Sequence, residues 1–227
     1  MKISIAVPTY ECYGIGWLFI SELLNSIKKQ DYSDYEVVIS DQSTDDKTSN
    51  LVEMYSKHMN IVYINSAHLT RKIGSNLNNA IKHCTGDLIK PMCADDFFID
   101  NNALTKIVKK FYENTDKTWL VSGCVHCQSI HFLYQKMIPY YHDKIHHGGN
   151  TISSPSVLTM KTKEYFDEKL SLFLDCEMYK RLYTKYNLPM IIEEPLICNR
   201  VHDKQMQNND SHLFESEKEY CIGIYGE

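Results

Sequence analysis

Ile3-Ser4-Ile5-Ala6-Val7-Pro8-Thr9-Tyr10-Glu11 is an apolar run broken by one serine that closes on a polar turn. A short, nearly continuous apolar run of this kind reads as a strand of a parallel sheet covered on both faces. Pro8 ends the run, and Thr9 and Glu11 then set a hydroxyl and a carboxylate just beyond the strand. Working outward, Ile20, Leu23, Leu24 and Ile27 recur at i, i+3, i+4 and i+7, the apolar stripe of an amphipathic helix. Tyr35 to Ser40 is the next strand, which completes a βαβ unit. The pattern repeats with a helix through Thr48, Leu51, Val52 and Tyr55, a strand at Ile61 to Ile64, a helix through Leu77, Ala80, Ile81 and Cys84, and a strand at Leu88 to Met92. Strands alternating with helices of this length predict an α/β fold with a doubly wound, mostly parallel sheet and right-handed crossovers. The polar strand ends would then collect along one carboxyl edge, where open α/β sheets bind ligands.

Beyond Asp96 the texture changes. Leu104, Ile107, Val108 and Phe111 mark another helix, but Trp119 to Val125, Ile130 to Ile138 and Val157 to Met160 follow with short connections, as antiparallel or mixed strands would. The stretch between Pro139 and Pro155, rich in Tyr, His, Gly and Asn, has no periodicity and reads as a mobile loop that could serve as a lid, with His146-His147-Gly148-Gly149 a flexible turn. Leu174, Met178 and Leu182 place a buried stripe on one more helix, Met190 to Ile192 reads as a last strand, and the residues after His202 as a weakly ordered polar tail.

At 227 residues and 43% hydrophobic content, the chain has the size and apolar fraction of one large domain with a single core. A formal charge of -5 argues against nucleic acid as a partner, because phosphate-backbone binding needs clustered Lys and Arg. With no apolar leader and no run of membrane-spanning length, the reading is a soluble, cytoplasmic protein. The eight Cys are scattered through apolar segments and are expected to be free thiols. Cys124-Val125-His126-Cys127 has the spacing of half a zinc site with His131, His146 and His147 downstream, but no second Cys pair matches it, and a C-x-x-C inside a strand reads as packing.

Four polar motifs carry the chemistry. They are Pro8-Thr9-Tyr10-Glu11, Asp41-Gln42-Ser43-Thr44-Asp45, Ala94-Asp95-Asp96 and Leu174-Asp175-Cys176-Glu177-Met178. Each has a plain structural reading: Pro8 to Glu11 could be an ordinary approach to a helix, Ser43, Thr44 or Asp45 could cap the helix that carries Leu51, Asp95 and Asp96 the helix that carries Leu104, and Asp175 could stabilise a helix dipole. Their order along the chain, more than any one of them, resembles family-two glycosyltransferases of the GT-A fold over roughly residues 1 to 202. That resemblance implies a Rossmann-like, mixed but mostly parallel sheet with helices on both faces. It implies one domain over residues 1–227, with a nucleotide-binding half (1–100), an acceptor and catalytic half (101–202) and a polar tail (203–227).

The resemblance also implies a function: inverting transfer of a sugar from a UDP-, GDP- or dTDP-sugar to a glycan, lipid-linked or protein acceptor, assisted by a divalent ion, Mn2+ or Mg2+. A lipid-linked acceptor would bring the protein to the membrane periphery. Pro8, Thr9, Tyr10, Glu11, Asp41 and Ser43 would meet the base and ribose. Arg71 and Gly74 of Arg71-Lys72-Ile73-Gly74, with Asn78, would lie near the diphosphate. Ala94 and Asp95 would also face the nucleotide, and Asp95 would hold the metal with help from His202 of Asn199-Arg200-Val201-His202. Arg200, Asp96 and Asn150 would serve the diphosphate and acceptor, and Asp175 would be the general base, since an inverting transfer needs one carboxylate to take the acceptor hydroxyl proton. Two positions depart from the family pattern. Cys93 stands where the first metal-motif Asp is usual, and a thiol suits a hard ion poorly; Leu174 stands where a Glu usually precedes the base. Those departures keep open a non-catalytic module that binds sugar nucleotides or glycans. A nucleotidyltransferase is disfavoured because Tyr10 to Gly16 lacks a Gly-rich basic phosphate loop, and a phosphatase because no Asp-x-Asp pair follows the first strand.

Overall fold

In the computed structural model, which describes residues 1–129, 132–205 and 211–227, the first half folds as its periodicity predicts. β1 (Ile3–Thr9) is buried at every position, so both its faces are covered, and it pairs in parallel with β2 (Tyr35–Asp41) and β4 (Leu88–Pro91). β3 (Ile61–Asn65) pairs in parallel with β2 and ends the sheet, and its alternating half-exposure is that of an edge strand. Ile20, Leu23, Leu24 and Ile27 are fully buried on α1 (Gly16–Lys28). α2 (Lys47–Ser56) packs against α1, and α3 (Ile73–His83) against β1 and β2. Gly16 admits α1 beside the end of β1, since a Cβ there would lie 2.1 Å from the Tyr10 carbonyl oxygen.

The sheet continues as a mixed one. Its order is β3-β2-β1-β4-β8-β6-β9-β5, with β7 paired to β6. β5 (Phe97–Phe98) follows the acidic motif, and α4 (Ala103–Glu113) buries the expected Leu104, Ile107, Val108 and Phe111. α4 begins seven residues after Asp96, so neither Asp95 nor Asp96 caps it. β6 (Trp119–Ser129) runs antiparallel to β7 (Phe132–Met137) and β8 (Leu158–Met160), and parallel to β9 (Met190–Arg200). Ile130 and His131, part of the expected strand and of the zinc reading, lie outside the described residues.

Four expectations are corrected. The last strand is far longer than Met190 to Ile192, because the β6–β9 ladder shifts register around Gly123, opposite Pro195, and then resumes to Arg200. A proline is tolerated in a strand where a bulge already interrupts the pairing. Within the region after His202, residues 214–225 are not a loose tail, for α6 (Phe214–Tyr225) buries Cys221 fully and Glu217 to 6% exposure. The 139–155 stretch is not a lid. Ile145 and Ile152 join the core, and the ring nitrogens of His146 sit 3.1 and 2.9 Å from the carbonyls of Asp143 and Gly226. Finally, Cys127 and Cys198 form a disulfide between β6 and β9, so not every Cys is a free thiol and Cys127 is unavailable to zinc. The two are separated by 71 residues in sequence and become neighbours only through the β6–β9 pairing. Cys12, Cys84, Cys93, Cys124, Cys176 and Cys221 remain thiols. Among the described residues no helix is long and apolar enough to cross a membrane.

Candidate functional site

β1 and the Met92–Asp96 turn after β4 end at one cavity of about 490 Å3. Of the sequence-predicted residues, Pro8, Thr9, Tyr10, Arg71, Ala94, Asp95, Asp96, Asp175, Arg200 and His202 line it. The parallel register sets Thr9 beside Asp41, yet Asp41 is buried and engaged: its carboxylate accepts from the Ser43 amide at 2.8 Å and from the Tyr63 hydroxyl at 2.8 Å. Gln42, the next residue, lines the cavity instead. Ser43 is buried and its hydroxyl has no hydrogen-bond partner, so it caps nothing. Glu11 forms an ion pair with Arg71 at 2.9 Å, which draws that guanidinium to the first strand's turn.

Gly74 and Asn78 serve packing. A Cβ on Gly74 would lie 3.1 Å from Leu174 Cδ1, so the glycine lets α3 approach the start of α5 (Leu174–Tyr186). Asn78 donates to the Phe166 carbonyl at 2.9 Å and Glu168 at 3.0 Å, and accepts from the Phe166 amide at 2.7 Å. On α3 the residues that reach the cavity are Ile73 and Asn76, three apart, and a helix turns Asn78 away from that face. Asn76 holds the end of β1 by donating to the Thr9 carbonyl at 2.9 Å.

The acidic turn is braced by β9 and the segment beyond it. Asp96 is buried, and its carboxylate accepts from the Arg200 amide at 3.0 Å, Asn199 Nδ2 at 2.8 Å and the Ser154 hydroxyl at 3.1 Å. Burial, and next the charge of Asp95, push its pKa up to about 7 against those hydrogen bonds. Asp95 is half-buried; its carboxylate meets His202 Nε2 at 3.1 Å, and its carbonyl accepts from Arg200 Nε at 2.9 Å. Arg200 is itself committed, paired with Glu22 and set between the rings of Phe19 and Phe97 at 5.1 and 5.2 Å. Below the turn, fully buried Lys90 donates to the carbonyls of Ser156 and Leu158, and burial lowers its pKa to about 7 although Asp96 opposes the shift.

Cys93 Sγ and one oxygen each of Asp95 and Asp96 lie within 4.8 Å of one another. Burial first, then Asp96 and Asp95, hold the Cys93 thiol well above its usual pKa, so it stays protonated and is a poor ligand. Asp96 already accepts three hydrogen bonds, whereas Asp95 is half-buried at the cavity wall, so of the two Asp95 is the better placed to offer an oxygen to a hard divalent ion.

Asp175 stands in the first turn of α5. Its Oδ1 accepts from the Cys176 amide at 2.7 Å and its Oδ2 from Asn150 Nδ2 at 2.7 Å. Burial pushes its pKa up to about 6 against both bonds. Asn150 does not line the cavity; its Oδ1 accepts from the Ile152 and Ser153 amides, so its amide group is fixed in the orientation that donates to Asp175. Asn76, Asn199, Phe19 and Gln42 were not anticipated. For Asn199 a signal existed, because it adjoins Arg200 in the quoted motif; Asn76 and Phe19 needed the helix faces.

The sequence also matches the family model "Glycosyl transferase family 2" over residues 4–181. The chain belongs to glycosyl transferase family 2. Within the family, the poly(ribitol-phosphate) beta-N-acetylglucosaminyltransferase TarS of Staphylococcus aureus is 33% identical over 99 residues, 43% of this chain and 17% of that protein. An uncharacterised glycosyltransferase of Rickettsia typhi is 26% identical over 236 residues, 94% of this chain and 68% of that protein. In solved structures, TarS 1-349 in complex with UDP-GlcNAc superposes with a TM-score of 0.77 at 22% identity, over 98% of this chain and 66% of that one. The mannosyltransferase PcManGT of Pyrobaculum calidifontis, in complex with GDP-Man and Mn2+, gives 0.66 at 17% identity, over 95% and 61%. These likenesses make the fold GT-A. The chain thus spans less than a fifth of the TarS sequence in the aligned match and about two thirds of its solved 1-349 fragment.

Proposed function

We propose that the protein is an inverting glycosyltransferase that moves a sugar from a nucleoside diphosphate to an acceptor hydroxyl, with Asp175 as general base. The observation that carries this reading is that one cavity is lined by both Asp95, a half-buried carboxylate beside Cys93 and His202, and Asp175, a carboxylate held near pKa 6. Pro8, Thr9, Tyr10 and Gln42 line the part of the cavity that would take the nucleoside, and Arg71, which also lines it, would meet the phosphates. Asp95, with His202 beside it, would hold Mn2+ or Mg2+, which when bound offsets the charge of the leaving diphosphate. Asp175 takes the proton of the acceptor hydroxyl while that oxygen attacks the anomeric carbon from the face opposite the diphosphate. The bond from the anomeric carbon to the phosphate oxygen breaks, its electron pair leaves with the diphosphate, and configuration inverts. Asn150 donates to Asp175 Oδ2 and so orients the carboxylate that would meet the acceptor.

A uridine nucleotide is the favoured donor, on the likeness to TarS, whose solved complexes hold UDP and UDP-GlcNAc. The acceptor is a glycan, free, lipid-linked or on protein. The test is a panel of UDP-, GDP- and dTDP-sugars with Mn2+, scored for release of nucleoside diphosphate with and without EDTA. Release from one donor, lost on chelation, is expected. Tight donor binding with no release under any acceptor would support a binding module instead.

A further inference from the structure

α5 begins without a cap of its own: Phe173 stands at its N-cap position and no side-chain oxygen there accepts a helix amide. Helix starts ordinarily draw such a cap from the residue at the boundary, because the leading amides have no partner within the helix. Here α6 instead supplies an acceptor for the turn that leads into the helix. Glu217 is 6% exposed, and its carboxylate accepts from the amides of Ser171 at 2.8 Å, Leu172 at 2.9 Å and Phe173 at 2.9 Å. Both oxygens are thereby used, and the negative charge sits where the α5 dipole favours it. A second tie lies one turn on, where the Tyr225 hydroxyl donates to Glu177 at 2.6 Å. Ser171 and Leu172 line the cavity, and Asp175 follows them by three to four residues. α6 lies wholly beyond residues 4–181, the stretch that matches the family model.

We infer that Glu217 is a positioning residue for the transfer: from the C-terminal helix it clamps the Ser171–Phe173 turn and so fixes where Asp175 meets the acceptor oxygen. This rests on the reading of Asp175 as the base. The clamped turn leads directly into Asp175, so removal of the clamp is expected to be felt in turnover more than in donor affinity. A displacement of about 1 Å in a reacting group can cost on the order of 100-fold in rate.

The test compares wild type, Glu217→Gln and Asp175→Asn in the full chain. It reads donor KM and kcat for diphosphate release, melting temperature, and hydrogen exchange at the 171–173 amides. Gln keeps the size of the side chain but has only one accepting oxygen, so part of the clamp is lost while folding is retained. In Glu217→Gln, exchange at 171–173 is expected to quicken and kcat to fall about 10- to 100-fold, with donor KM within about twofold of wild type. Faster exchange with unchanged kcat would overturn the inference and leave Asp175 standing if Asp175→Asn is inactive. A fall in donor affinity and melting temperature that matches the fall in kcat would also overturn it, since the role would then be general stability. Equal activity of wild type and Asp175→Asn would sink the base reading and the inference with it. Tyr225→Phe, which removes only the outer tie, gives a milder version of the same split.

Discussion

Asp95 and Asp175 face one cavity but reach it by different means. Asp95 follows a strand buried at each of its four positions and paired in parallel with β1, so sheet topology alone brings it to the carboxyl edge. Asp175 sits at the start of a helix whose preceding turn, Ser171 to Phe173, is held from α6, and its carboxylate is oriented by Asn150, 25 residues earlier. The Asp95 end of the cavity is thus placed by local periodicity and register, and the Asp175 end by contacts between segments far apart in sequence.

The comparison can be broken most forcefully through the staple on β9, the strand whose end braces the Asp95–Asp96 turn. The Cys127–Cys198 disulfide spans 71 residues and joins β6 to the strand that leads to Asn199, Arg200 and His202. In the chain-entropy view its reduction costs about 4 kcal/mol, so melting in the presence of a phosphine reductant is expected to drop by roughly 10 °C. A drop under about 1 °C would mean that the bond adds no constraint. Next in size, Asp95→Asn should weaken Mn2+-dependent diphosphate release about 100-fold, since the position then lacks its anionic oxygen. A Mn2+ titration that gave the same midpoint in variant and wild type would remove Asp95 from the metal site.

The pH dependence sharpens the contrast further. Asp175 must be ionised to take a proton, and its pKa is raised from 3.8 to about 6 by burial. The rate constant kcat/KM should therefore rise with pH through about 6 and be about tenfold lower at pH 5 than on its plateau. For stability the sign is opposite. The folded form holds the Asp175 proton more tightly than the unfolded chain, so this group's stabilising contribution is complete below about 4 and is lost as pH rises through about 6. The smallest effect concerns Gly74→Ala. Its Cβ would lie 3.1 Å from Leu174 Cδ1 and touch no nucleotide-facing residue, so stability should change by less than about 1 kcal/mol and UDP affinity not at all. A marked loss of UDP affinity would return Gly74 to the donor site.

What the sequence disclosed follows the same division. The stripes of α1, α3 and α4 and the strands β1, β2 and β4 were legible because each is a local period, and with them came the cavity positions of Pro8, Thr9, Tyr10 and Asp95. Asp175 and Arg200 were legible through motif order. Arg200 nonetheless turns its guanidinium to Glu22, and Asp41 turns its carboxylate to Ser43 and Tyr63, preferences that depend on partners no period reveals. Glu217 was hidden for the reverse reason. Phe214-Glu215-Ser216-Glu217-Lys218-Glu219-Tyr220 reads as a solvated polar run, and only the fold shows that one of its carboxylates is buried against three amides.

The most direct test of the central reading is to measure, at saturating donor and Mn2+, donor affinity and the single-turnover rate of sugar transfer in wild type and Asp175→Asn. Unchanged donor affinity with transfer slowed about 1000-fold is the expected result, because the variant keeps the cavity and the Asn150 contact but has no base. Transfer at the wild-type rate in Asp175→Asn would contradict it.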